Sequence, residues 1–190
     1  MIRQTILLLG VALGLSSSEM AAQSGFRIYH KVTTTEVALT TSYVYYGRVV
    51  SVETTHQLAQ RGKWTYHLLL GPQIGRSRYE PGENLRLQTG LEVGLKVGMM
   101  AARTLSDRWS LAYDISISPH YISAQLMRQI PGFLFEDAAS LGLRHHLTET
   151  ISLDAMVTFR HLSNASLRRP NGGINNLGAG IAVFYQPSRS

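Results

Sequence analysis

From Ile151 the chain alternates without a break: Ile151, Leu153, Ala155, Val157 and Phe159 hold one parity, and Ser152, Asp154, Met156, Thr158 and Arg160 the other. Successive side chains of a strand point to opposite faces, so a period of two predicts a strand with one oily and one polar face. The pattern recurs. Trp109, Leu111, Tyr113, Ile115 and Ile117 oppose Ser110, Ala112, Asp114, Ser116 and Ser118, while Leu91, Val93, Leu95, Val97 and Met99 oppose Gly90, Glu92, Gly94, Lys96 and Gly98. Counted backward from the C-terminus, candidate strands fall at 174–185, 150–163, 134–145, 108–121, 88–103, 63–78, 43–57 and 25–40. An even number of such strands lets an antiparallel sheet close and hide both edges.

Alternation alone fits two architectures. In a water-soluble sandwich the oily face turns inward; in a membrane barrel it meets lipid, and the charges point into a hydrogen-bonded lumen. Small residues share the charged face here, as a narrow lumen demands, and the strands reach the roughly 9 to 11 residues needed to cross a bilayer at a tilt. The expected fold is all-β, an eight-stranded antiparallel outer-membrane β-barrel spanning 23–190, with the soluble sandwich as the lesser alternative. Turns are expected within "SVETTHQLAQRG", "TLSDR" and "RHHLTET" at the inner end, and outward loops at Arg78–Arg86, Tyr121–Gly132 and Asn164–Gly173. The stretch from Leu126 to Pro131 is expected to lie against the membrane interface.

The first 22 residues change the compartment. A single Arg3, an apolar run from Ile6 to Leu15 and small residues around Ala21 and Ala22 have the layout of a cleavable secretory signal. The apolar run is too short to span a bilayer as a helix. Among 190 residues there is no cysteine, which excludes disulfides, thiol chemistry and cysteine-built metal sites. Removing 1–22 deletes one Arg and one Glu, so the formal charge stays at +6. In an exported chain that excess points to an anionic surface such as phosphorylated lipid, and no nucleic-acid partner is expected.

Charges on the polar faces, Glu92, Lys96, Asp114, Arg144, Asp154 and Arg160, are expected to pair inside the barrel, since unpaired charge in a narrow interior is costly. His145 and His146 adjoin a turn and share no ligand set, so zinc is not expected, and no cofactor is.

One strand breaks its own rule. If parity persists, His161 and Ser163 continue the face of Ile151 to Phe159 and emerge where a barrel meets lipid. A serine two residues from a histidine on one face suits base-assisted nucleophilic attack. It equally suits an interfacial polar pair near the headgroups. Asn175 shares the oily parity of the last strand with Leu177, Ala179, Ile181 and Val183, and an antiparallel neighbour places it beside His161 as a third, orienting group. Glu136 and Asp154 are nearby acids, but Asp154 has the wrong parity.

The stretch "FRHLSNASLRRPNGGINNLG" resembles the outer-membrane lipid A 3-O-deacylase family, whose signature joins a His-x-Ser-Asn start to a downstream Pro-Asn and Gly. The matching residues are His161, Ser163, Asn164, Pro170, Asn171 and Gly173. The resemblance implies a barrel whose external, membrane-facing site removes the acyl chain esterified at the 3-position of lipid A. Carried over, Ser163 is the nucleophile and His161 the base. Asn175 stands where the family has an acid, and Ser166 stands where the family commonly has glycine after Asn-Ala. A backbone N–H near Asn164 or Ser166 is expected to hold the oxyanion, with Asn171 bracing the loop. Arg168 and Arg169 have forked donors suited to lipid phosphates, or are ordinary basic residues of an outward loop. The expected partners are lipid A or lipopolysaccharide in the outer membrane, with the chain a monomer or weak homodimer. Because of Asn175, the alternative is a weak or inactive barrel with a structural or lipid-binding role.

Overall fold

The computed structural model describes residues 23–35, 43–82 and 85–187; the signal segment lies outside them. Eight strands follow in chain order: β1 (Ser24–Thr34), β2 (Tyr45–Arg61), β3 (Trp64–Tyr79), β4 (Gln88–Ser106), β5 (Trp109–Ile122), β6 (Gly132–His146), β7 (Ile151–Ser163) and β8 (Ile174–Tyr185). Each pairs antiparallel with its sequence neighbours, and β1 pairs with β8 to close a barrel. No edge is left open among them, which is the condition for a sheet in hydrocarbon.

β8 runs as the periodicity predicts, while β2 runs further. Its end was expected in the turn "SVETTHQLAQRG", yet Thr54 to Arg61 pair with Leu70 to Trp64, and only Gly62 and Lys63 make the turn. The polar residues there face the lumen: Glu53, Thr55 and Gln57 are buried. Polarity was therefore a lumen signal and not a turn signal. Gly62 sits at φ 57°, the left-handed region that a tight hairpin needs and glycine enters freely. For β1, the predicted extension to residue 40 falls partly outside the described residues.

Burial runs opposite to that of a soluble protein. Ile28 and Val157 are 53% and 56% exposed, whereas Arg27, Glu53 and Arg160 are 0% exposed. That inversion rules out the sandwich, whose oily faces would meet each other. Side chains on the outer wall need hydrocarbon around them, and the charged lumen needs partners.

It has them. Arg27 donates to Glu53 at 3.0 Å and to Asp114 at 2.9 Å, and Lys96 lies 3.2 Å from Glu53. Higher up, Arg160 bridges Glu92 at 2.5 Å and Glu136 at 2.9 Å, while Lys31 meets Glu136 at 2.6 Å. Arg144 grips Asp154 with two nitrogens, at 2.7 and 2.8 Å. The expected network is present and is extended by Arg27, Lys31, Glu53 and Glu136. Above it Tyr45, Tyr79, Ile122, Leu126, Leu134, Leu162 and Ile174 form an apolar cap within the barrel mouth.

The two ends differ. Turns 62–63, 107–108 and 147–150 share one end with the start of β1 and the finish of β8, and the longer connections from β1 to β2, β3 to β4, β5 to β6 and β7 to β8 leave from the other. Short turns face the periplasm and long loops the exterior in such barrels, so the C-terminal end of β7 is external. Trp64 packs with Tyr66 and Tyr113 on the outer wall at the periplasmic end, as one of the aromatic girdles that mark lipid headgroups. The stretch from Leu126 to Pro131 does not lie flat on the interface. Leu126 is buried in the cap and Gln129 bridges to Asn171, because the barrel mouth offers apolar cover and hydrogen bonds that an interface does not.

Candidate active site

β7 keeps its parity to the rim. Leu162 and Asn164 turn into the barrel, and His161 and Ser163 stay on the outer face above Phe159. Register brings their neighbours. His161 sits directly opposite Asn175 of β8 on one side and Asp137 of β6 on the other, and Ser163 sits opposite Phe135. The three residues Ser163, His161 and Asn175 therefore share one patch of wall.

His161 Nδ1 lies 2.6 Å from Asn175 Oδ1. An amide oxygen only accepts, so this contact puts the proton on Nδ1 and leaves Nε2 as a lone-pair base. The Asn175 backbone N–H donates to the Tyr43 hydroxyl at 3.1 Å, tying the strand start to the loop before β2. No hydrogen bond joins His161 to Ser163; residues two apart on a strand are roughly 6.6 Å apart along it. Catalytic hydrogen bonds commonly tighten only around substrate.

Gly173 matters for space as well as for turning. It sits at φ 68°, and a β-carbon there would lie 2.7 Å from His161 Cε1. The imidazole thus occupies room that any other residue would fill.

The loop after Ser163 is braced from within. Asn171 Oδ1 accepts the Asn164 backbone N–H at 2.9 Å, Asn164 Nδ2 donates to Arg168 O at 2.8 Å, and Leu167 N–H reaches Asn164 O at 3.0 Å. Asn164 is consequently a support, and its own amide is already engaged. Ala165 and Ser166 take φ values of 51° and 64° in succession. Consecutive amides in such a turn form an anion-binding concavity. Ser166 occupies this left-handed position without the freedom of glycine.

Arg168 Nη2 reaches the Pro131 carbonyl at 3.5 Å, the outer limit of a hydrogen bond, and both Arg168 and Arg169 are exposed at the external end. Within the lumen, Glu92, His120 and Glu136 converge, but Arg160 and Lys31 already engage those carboxylates. This is an ion-pair cluster behind the wall, facing away from Ser163.

Asp137 is the residue that sequence reasoning missed. It shares the outward parity of Phe133, Phe135, Ala139 and Leu141, so it is a charge on an oily face, the same anomaly that singles out His161. Attention to Glu136 concealed it; Glu136 faces the lumen.

An oily outer wall and a paired lumen define an outer-membrane β-barrel, and the histidine–serine pair facing out at its external rim is the candidate site. The family model for "Lipid A 3-O-deacylase (PagL)" matches residues 44–184, and the chain belongs to that family. The fold is similar to the crystal structure of the outer membrane enzyme PagL, with a TM-score of 0.61 at 17% identity over 82% of this chain and 97% of that one. Lesser likenesses are to Ail, the attachment invasion locus protein of Yersinia pestis, at 13% identity over 87% of this chain and 100% of that one, with a TM-score of 0.44. OprG from Pseudomonas aeruginosa gives 9% identity over 87% and 93%, with a TM-score of 0.45. No curated protein matches the chain.

Proposed function

We propose that the protein hydrolyses the acyl ester at the 3-position of lipid A, with Ser163 as nucleophile and His161 as base. Family membership supports this reading. The observation that carries it is the 2.6 Å contact of His161 Nδ1 with Asn175 Oδ1 on the lipid-facing wall, which leaves Nε2 free on the face that bears Ser163.

The chemistry follows from those positions. Nε2 takes the Ser163 proton as Oγ attacks the ester carbonyl, and the tetrahedral oxyanion meets the amides of Ala165 and Ser166. Collapse expels the sugar hydroxyl, protonated by His161. Water then attacks the acyl-serine, again deprotonated by His161, and the fatty acid leaves. Phe135 opposite Ser163 and Phe159 below His161 give the acyl chain an apolar track along the wall. Arg168 and Arg169 above it are the proposed ligands for the phosphates of the same lipid.

Asn175 itself favours a second reading, a barrel of low or no turnover. An asparagine fixes the histidine tautomer but does not neutralise the imidazolium that forms. In the serine-protease triad, the Asp-to-Asn change lowers turnover about 10⁴-fold. Asp137 stands across the β6–β7 pairing from His161 but makes no ion pair with it, so it does not take the place of the missing acid.

Mass analysis of lipid A from cells expressing the wild type and Ser163→Ala tests the reading. Loss of the 3-linked hydroxy fatty acid in the wild type alone is expected. Unchanged lipid A with the wild-type barrel folded in the outer membrane would sink it.

A further inference from the structure

Three arginines break the oily pattern on the far wall. Arg48 of β2 and Arg76 and Arg78 of β3 all face outward at the external end, the end that also carries Ser163. Register places Arg48 directly opposite Arg76, and Tyr46 opposite Arg78. Like charges directly across a strand pair repel, and a cation on the lipid face is tolerated only near the headgroups.

Inside the barrel this chain matches its cations with carboxylates. Arg27, Lys31, Lys96, Arg144 and Arg160 all have carboxylate partners. Arg48, Arg76 and Arg78 have none among the described residues. Even Glu80, two positions beyond Arg78 on the same outward parity, makes no ion pair with it. The three side chains instead border a pocket of about 420 Å³ with Val32, Tyr46 and Thr89, a volume within the range of small-ligand sites.

We infer that this pocket binds a phosphomonoester group carried by an anionic lipid of the outer leaflet, at a site separate from Ser163. Three guanidinium forks around one cavity match the several acceptor oxygens of a phosphate, and Val32 and Tyr46 offer apolar surface to the attached lipid. By way of β8 and β1, Arg48 lies three strand spacings from β7 and Arg76 and Arg78 lie four, roughly 15 to 20 Å around the wall. The lipid held there is therefore a neighbour of the one at Ser163. The inference rests on the outer-membrane setting and not on turnover.

The test uses the full mature chain carrying Ser163→Ala, so that no lipid is consumed, folded in zwitterionic detergent. Native mass spectrometry would count bound bisphosphorylated lipid A, the same lipid with its phosphates removed, and inorganic phosphate. Two further proteins carry either Arg48→Gln, Arg76→Gln and Arg78→Gln together or Arg168→Gln with Arg169→Gln, each checked for the heat-modifiable gel mobility of a folded barrel. The first set should lose one bound phosphorylated lipid, with affinity lower by roughly tenfold or more. The loop pair should keep that lipid. An Arg-to-Lys triple, which keeps the charge without the fork, should fall between them. Unchanged lipid binding in the folded Gln triple, or equal binding of the dephosphorylated lipid, would overturn the inference. Displacement of the lipid by micromolar inorganic phosphate would overturn its lipid source and assign the pocket to the free ion.

Discussion

Asn175→Asp is the perturbation that bears most directly on the proposed chemistry. Asp and Asn have the same shape, so the new carboxylate oxygen would stand where Oδ1 now stands, 2.6 Å from His161 Nδ1. What changes is charge. With charge centres about 4 Å apart, a carboxylate stabilises the imidazolium formed during attack by about 4 kcal/mol at an effective dielectric near 20, and by about 1 kcal/mol in water. Each 1.36 kcal/mol is tenfold in rate, which brackets the gain between roughly fivefold and roughly a thousandfold. The rim is exposed, so an increase of roughly ten- to a hundredfold is expected. It should appear in the rate of hydroxy-fatty-acid release from lipid A by purified protein in detergent. Asp137→Asn serves as the partner change: Asp137 is opposite His161 in register but makes no ion pair with it, so its loss should change the rate of either protein by less than about threefold. A folded Asn175→Asp barrel with no gain would refute the role given to position 175. Absence of product from both proteins would refute the hydrolase reading.

Three other outcomes follow from the geometry. Gly173→Ala drives a methyl to within 2.7 Å of His161 Cε1 and places a side chain at φ 68°, so release should fall at least roughly tenfold while the barrel still migrates as folded. Ser166→Gly relieves a left-handed backbone at φ 64°, worth about 1 kcal/mol, and should raise turnover or leave it unchanged. A fall in rate would show that the serine side chain, which lies 3.5 Å from Asn171 Nδ2, has a use of its own. Arg27→Leu leaves Glu53 and Asp114 short of a partner in the lumen and should cost about 3 to 5 kcal/mol, seen as a lower temperature for loss of the folded gel form.

How far the sequence reaches differs between wall and loop. A strand has a strict period, so Ile151 to Ser163 could be assigned to faces residue by residue, and one side chain out of keeping with its face, His161, marked the site. Register was not legible. Nothing in a period of two says which residue of β6 stands opposite His161, and so Asp137 was passed over for its neighbour Glu136. The turn after β2 was misread for a related reason: in a barrel the polar residues of a strand and those of a turn have the same composition. The loop 164–173 has no period at all. Its bracing by Asn171 was expected from resemblance, but the engagement of the Asn164 backbone N–H by that same side chain was not legible.

The barrel also separates what holds it together from what it presents. Arg160 and His161 are adjacent in sequence and lie on opposite sides of the wall, one fixed by Glu92 and Glu136, the other bonded to a single amide oxygen. Substitutions on the inner parity act on many coupled charges and should be read first in stability. Those on the outer parity remove few contacts within the protein, because lipid is the neighbour. Loss of activity without loss of fold is therefore the expected signature of a true site residue at 161, 163 or 175. If Ser163→Ala or His161→Ala unfolded the barrel, the division of roles between the two faces would be wrong.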